Sequence, residues 1–292
     1  MSTPPGLEPE PDPEPEPVPE PDPDPGALLE VALDAALAAS ELITNGRPAD
    51  LEAVSKSSPT DLVTVVDRRA EELVAERIRR RRPQDRIVGE ERGESAGDGS
   101  TDSPVTWWVD PIDGTTNYVY DHPGYAVSVA AQVDGRIVAG VVADPTHARV
   151  HRATLGGGAY CDDERTGRTT RLELGDPPPL ARALVATGFS YQPEVRTAQA
   201  RLLAELMGRI RDVRRMGAAS LDLCAVAAGR VDAYFEAGLE TWDFAAGGLI
   251  ATESGARLCG LDGGEVRPGS VLCAHPDLAE QLLAALASID PH

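Results

Sequence analysis

Basic side chains are scarce in this chain, and lysine is almost missing. Of 27 Lys and Arg among 292 residues, only Lys56 is a lysine. Against them stand 48 Asp and Glu, for a formal net charge of −21. That balance argues against non-specific binding to nucleic acid, which needs a basic surface, and against docking on anionic lipid. Aromatic residues make up 4%, too few for platforms that stack single-stranded nucleic acid. Cysteines number four, Cys161, Cys224, Cys259 and Cys273, far apart and without a Cys-x-x-Cys pair. No disulfide framework or zinc knuckle is expected, and a reduced, cytoplasmic protein is. No apolar run approaches the roughly 20 residues of a membrane span. The N-terminus does not read as an export signal, because no basic region precedes an apolar one.

What is abundant is proline and acid at one end. Residues 4–25 hold 11 of the 25 prolines and eight Asp or Glu, with no Lys or Arg. Proline blocks helix and ladder while like charges repel, so residues 1–26 read as an extended, disordered arm. It is either a spacer that docks on a partner or a solubilising tail. Residues 27–292 read as one catalytic domain, with lobes of about 27–180 and 181–292 meeting near Pro177–Pro179. Apolar periodicity predicts helices over 27–44, 67–82, 193–211, 218–228, 243–253 and 276–287. Strands are expected over 62–66, 86–88, 106–109, 125–133, 137–142, 150–153, 171–174, 183–187, 233–236 and 271–274. Asp134-Gly135 is a hairpin signal. Gly156–Gly158 reads as a turn, since no Lys-Ser/Thr follows to make a phosphate loop. Alternating helices and strands predict α/β or α+β layers.

The informative pattern is a set of acids at strand ends. Glu90 and Glu91 follow one short strand. Asp110 and Asp113 follow another, three apart in what reads as a Pro/Gly turn. Asp243 opens a helix after Trp242. Carboxylates gathered at one point repel unless a cation offsets them, and hard oxygen donors suit Mg²⁺. Each piece alone has an ordinary explanation: a turn, a solvated pair, a helix cap. Their combination and order favour a metal site.

The combination resembles the inositol monophosphatase family of lithium-sensitive, Mg²⁺-dependent phosphomonoesterases, in its bacterial form. The matching segments are Lys56-Ser57-Ser58-Pro59-Thr60-Asp61-Leu62-Val63-Thr64 with Asp67, then Gly89-Glu90-Glu91, Asp110-Pro111-Ile112-Asp113-Gly114-Thr115-Thr116-Asn117, and Trp242-Asp243-Phe244-Ala245-Ala246-Gly247. The likeness runs over roughly 27–290. It implies an α+β fold, the layered αβαβα sandwich shared with fructose-1,6-bisphosphatase. It also implies two or three Mg²⁺ ions per active site. Glu90, Asp110 and the Ile112 carbonyl would hold the first, and Asp110, Asp113 and Asp243 the second. Glu90 and Thr115 would activate the attacking water, with Asp67 holding Thr115 and Glu91 in an outer position. Asp113, Gly114, Thr115, Gly217, Ala218, Ala219, Glu236 and Asp243 would line the substrate, Glu236 accepting from inositol hydroxyls.

By resemblance the substrate is myo-inositol 1-phosphate, the assembly a homodimer and Li⁺ an inhibitor. Ala218 stands where many relatives carry Ser or Thr, and Gly188-Phe189-Ser190-Tyr191 follows the bacterial pattern. Lys56 either contacts solvent near the metals or anchors a loop. Arg215 either touches phosphate or pairs across a dimer. Competing readings are a histidinol-phosphate, fructose-1,6-bisphosphate or 3′-phosphoadenosine-5′-phosphate phosphatase, and a non-catalytic interaction protein that keeps the fold.

Overall fold

The computed structural model describes residues 23–48, 53–55, 62–95 and 103–289. Most of the proline-rich arm and Lys56 lie outside the described residues. The seven α-helices described are α1 (Pro25–Asn45), α2 (Val65–Arg81), α3 (Thr115–Val119), α4 (Pro193–Leu206), α5 (Ala219–Ala227), α6 (Thr241–Glu253) and α7 (Pro276–Ala287). The strands described are β1 (Ala53–Ser55), β2 (Leu62–Thr64), β3 (Arg86–Gly89), β4 (Gly93–Ser95), β5 (Val105–Asp113), β6 (Ala126–Val133), β7 (Arg136–Asp144), β8 (Arg149–Thr154), β9 (Gly158–Asp163), β10 (Arg168–Leu172), β11 (Leu184–Thr187), β12 (Asp212–Arg214), β13 (Ala233–Ala237), β14 (Arg257–Cys259) and β15 (Ser270–Ala274).

They form five layers, α, β, α, β and α. An eight-stranded sheet runs in the order β10-β9-β8-β7-β6-β5-β3-β4, and a five-stranded sheet β12-β11-β13-β15-β14. Helices α1 and α2 cover one face of the large sheet, with Val127, Val129, Ala131 and Val133 of β6 pointing at them. Helices α5 and α6 fill the space between the sheets, where Ala126 and Ala130 face them. Helix α7 covers the outer face of the small sheet and packs on α4. A helix between two sheets must be apolar nearly all round, and Phe244 to Ala251 of α6 are all buried. Among the described residues no helix is long and apolar enough to cross a membrane.

Local chemistry moves several boundaries. Helix α1 starts at Pro25, inside the expected arm, because Asp24 accepts the backbone N–H groups of Gly26 and Ala27 and proline suits a first helical turn. Helix α2 starts at Val65 because Thr64 and Asp67 form a capping box. The helix expected over 193–211 ends at Leu206, after which Ile210 drops into the core and residues 212–214 pair in parallel with β11. The largest correction concerns the acids. Asp110 to Asp113 are not a turn but the end of β5, where the register against β6 shifts between Asp110 and Asp113. Pro111 cannot donate to the ladder, so the strand bulges there.

Candidate active site

Strands β3 and β5 run parallel, with Gly89 paired to Val109. The next residue on each is an acid, so Glu90 and Asp110 emerge side by side. The backbone N–H of Glu90 donates to the Val109 carbonyl at 3.2 Å and fixes that exit. On the other side of β5, Asp110 pairs with Ser128 of β6. The Ser128 hydroxyl donates to the Trp242 carbonyl at 3.2 Å, which docks the start of α6 and brings Asp243 to the same corner.

The β5 bulge then turns the chain. Gly114 takes φ 90°, a left-handed conformation that glycine adopts without strain, and a Cβ there would come within 2.8 Å of the Gly124 carbonyl oxygen. Thr115 follows as the first residue of α3. Its hydroxyl lies 3.0 Å from the Ile112 carbonyl and 3.3 Å from Asp67 Oδ1. The other oxygen of Asp67 accepts the Thr64 backbone N–H at 2.9 Å and the Thr64 hydroxyl. Asp67 is fully buried, and it reaches the site through Thr115. Asp113 turns toward α5, accepting the N–H of Ala219 at 3.2 Å and that of Ser220 at 2.7 Å. Helix α5 has no cap of its own, since Ala218 precedes it.

These residues open on one cavity of about 420 Å³. Glu90, Asp110, Ile112, Asp113, Gly114, Thr115, Gly217, Ala219, Glu236 and Asp243 all line it. Ala218 does not: it is buried behind the wall, 2% exposed. Among the described residues Arg215 is the one cationic side chain that lines the cavity, against the acids Glu90, Asp110, Asp113, Glu236, Glu240 and Asp243. Phe189, Ser190 and Tyr191 also line it. The volume falls within the usual range for small-molecule sites, roughly 300–1,000 Å³.

The electrostatics follow from that crowding. Burial pushes Asp110 well above the usual carboxylate range, and Glu90, Asp113 and Asp243 add repulsion. Burial raises Asp113 to about 7, although its bonds to Ser220 oppose the shift. Burial also raises Asp243 well above its ordinary value, helped by Asp113 and opposed by the Glu240 N–H. An all-oxygen donor set under mutual repulsion fits a hard divalent cation. Among the described residues no three of these groups stand at a common metal-ligand spacing. Asp113 is engaged by α5, Asp243 Oδ2 by the Glu240 N–H at 2.7 Å, and Asp110 Oδ1 by the Ile112 N–H at 3.0 Å. Each of these carboxylates keeps lone pairs beyond those bonds, so a ligand role and the bonds are compatible.

Glu71 joins the site without any expectation from sequence. It is 3% exposed on α2, one turn beyond Asp67, and accepts the N–H of Glu91 at 2.7 Å and of Arg92 at 3.1 Å. It therefore holds the turn that carries Glu90. The signal for it is spacing: Asp67, Ala70, Glu71, Val74, Ala75 and Ile78 form one buried helical stripe, and two acids inside an apolar stripe call for a polar partner.

Comparison with known proteins identifies relatives of the chain. Residues 24–290 match the inositol monophosphatase family. The chain is 50% identical to an inositol-1-monophosphatase of Mycobacterium leprae (strain TN) over 235 residues, 80% of each. It is 39% identical to the Nus factor SuhB of Pasteurella multocida (strain Pm70), covering 88% of this chain and 94% of that one. Among solved structures, Mycobacterium tuberculosis SuhB superposes with a TM-score of 0.77 at 45% identity, covering 91% of this chain and 98% of the other.

Proposed function

Since the chain belongs to the inositol monophosphatase family and is thereby a phosphoric monoester hydrolase, we propose that it hydrolyses myo-inositol 1-phosphate to inositol and phosphate. The observation that carries this reading is one cavity lined by Glu90, Asp110, Ile112, Asp113 and Asp243 together with Glu236. The first group offers hard oxygen donors, and the second offers a carboxylate to sugar-like hydroxyls.

In this reading Glu90, Asp110, Asp113, Asp243 and the Ile112 carbonyl hold two or three Mg²⁺ ions. Bound there, Mg²⁺ would supply positive charge to the phosphate oxygens and to the leaving alkoxide. Glu90 accepts the proton of the attacking water. The Thr115 hydroxyl orients that water, and Asp67 sets the hydroxyl. Gly114, Thr115, Gly217 and Ala219 shape the wall around the phosphate, while Arg215 adds a positive side chain. Glu236 accepts a hydroxyl of the polyol. A site built to accept hydroxyls rejects esters that lack them.

The test is phosphate release from myo-inositol 1-phosphate, histidinol phosphate, fructose 1,6-bisphosphate and 3′-phosphoadenosine 5′-phosphate. It is run with Mg²⁺, with EDTA and with Li⁺, beside sedimentation to test the homodimer. Fastest turnover on the inositol ester, lost in EDTA and reduced by Li⁺, supports the proposal. Faster turnover of another ester replaces the substrate.

The name Nus factor SuhB, carried by the Pasteurella relative, favours a second role in protein assembly alongside hydrolysis. Pull-down of transcription complexes by the intact chain and by Glu90→Gln would support it if both bind, and binding by neither would remove it.

A further inference from the structure

Tyr234 and Glu236 stand two residues apart on β13 and so share one face of the small sheet. The Tyr234 hydroxyl donates to Glu236 Oε2 at 2.8 Å. Tyr234 is fully buried, so that hydroxyl has no water to turn to. Glu236 is also held against Gly188. Its carboxylate lies so close over Gly188 that any Cβ there would overlap it. Glu236 therefore meets a phenol that grips one oxygen and a backbone that admits no side chain. Its second oxygen, Oε1, accepts no hydrogen bond among the described residues.

Near this pair lies Asp222 of α5, 1% exposed, with Oδ1 buried and without a hydrogen-bond partner among the described residues. Burial pushes Asp222 well above the usual carboxylate range, with Glu236 adding to the shift. Burial likewise raises Glu236, while the Tyr234 hydroxyl and the Arg215 charge oppose it and favour the ionised acceptor.

Resting on the polyol-phosphate reading above, we infer that Tyr234 is a positioning residue for substrate selection: it commits Oε2 of Glu236 and leaves Oε1 as the oxygen that accepts a substrate hydroxyl. The carboxylate then presents one acceptor in one place. Without the phenol, the carboxylate loses its fixed rotamer and a buried hydrogen-bond donor. In the same reading phosphate and water do not touch Tyr234, so the effect belongs to the hydroxyl-bearing part of the substrate.

The experiment compares kcat and KM for myo-inositol 1-phosphate and for phenyl phosphate, an ester with no aliphatic hydroxyl, in wild type, Tyr234→Phe, Gly188→Ala and Glu236→Gln. Wild type should prefer the inositol ester. Tyr234→Phe should lose roughly ten- to 150-fold of that preference, the range for a hydrogen bond to a charged group, chiefly through KM. Its kcat/KM for phenyl phosphate should stay within about twofold, since no lost bond faces that ester. Gly188→Ala should shift the ratio in the same direction and provides a second route if Tyr234→Phe folds poorly. Glu236→Gln removes the charge while keeping one carbonyl acceptor, and so sets the scale of the charged contact. An unchanged ratio in both Tyr234→Phe and Gly188→Ala, or an equal fall on both esters, overturns the inference while leaving the polyol reading intact. A wild type with no preference overturns both.

Discussion

The carboxylate of Asp113 accepts the backbone N–H of Ser220 at 2.7 Å across 107 residues of chain. One end of the contact is the large sheet, and the other is the helix layer between the sheets. Asp113 thus serves two tasks, as a candidate metal ligand and as the missing cap of α5.

Asp113→Ala should accordingly abolish phosphate release and also lower stability by about 1–3 kcal/mol, the cost of losing a cap and leaving buried donors unpaired. Ser220→Ala removes only the hydroxyl contact. It should cost about 1 kcal/mol and retain most turnover. Urea unfolding beside a phosphate-release assay separates the two. An Asp113→Ala chain as stable as wild type would sink the capping role.

Glu71→Ala should slow the reaction without touching substrate. It frees the N–H groups of Glu91 and Arg92 and loosens the turn bearing Glu90. Groups that orient a metal ligand from behind are typically worth 10–100-fold, so kcat should fall roughly tenfold or more, with KM little changed. Steady-state kinetics decide it, and an unchanged kcat refutes the role.

Asp222→Asn should stabilise the protein increasingly as pH rises. The folded-state pKa of Asp222 lies well above its ordinary value. Between the unfolded and folded values the native chain holds the extra proton, so stability declines as pH climbs through that window. Asparagine has no proton to lose. Thermal unfolding of both chains from about pH 4 to about pH 7 should show a gap that widens toward neutrality. A constant gap would mean that Asp222 does not titrate there.

Much of the site is legible in the amino-acid order, because the acids fall in four separate, ordered segments and each follows a strand or opens a helix. The contacts between segments are not. Asp110 and Asp113 read as a turn because Pro111 and Gly114 are turn residues, yet pairing with β6 carries the strand past the proline. Glu71 gains a role only when its place in the buried stripe of α2 is set beside the Glu90 turn. Tyr234 carries no motif, and only the two-residue repeat of β13 joins it to Glu236. Strands β1, β4, β12 and β14 hold three residues each, too short to show a period. The five-layer order is implied by resemblance rather than by any one pattern, since layers are made by contacts far apart in sequence.

The parallel pairing of β3 with β5 makes the site a matter of counting. Side chains alternate along a strand, so one residue added or removed within 86–89 would send Glu90 to the opposite face from Asp110. Surface loops tolerate changes of length, but these four residues do not have that freedom. Insertions at that strand should be among the least tolerated in the chain, although no atom of Arg86, Ile87 or Val88 lines the cavity.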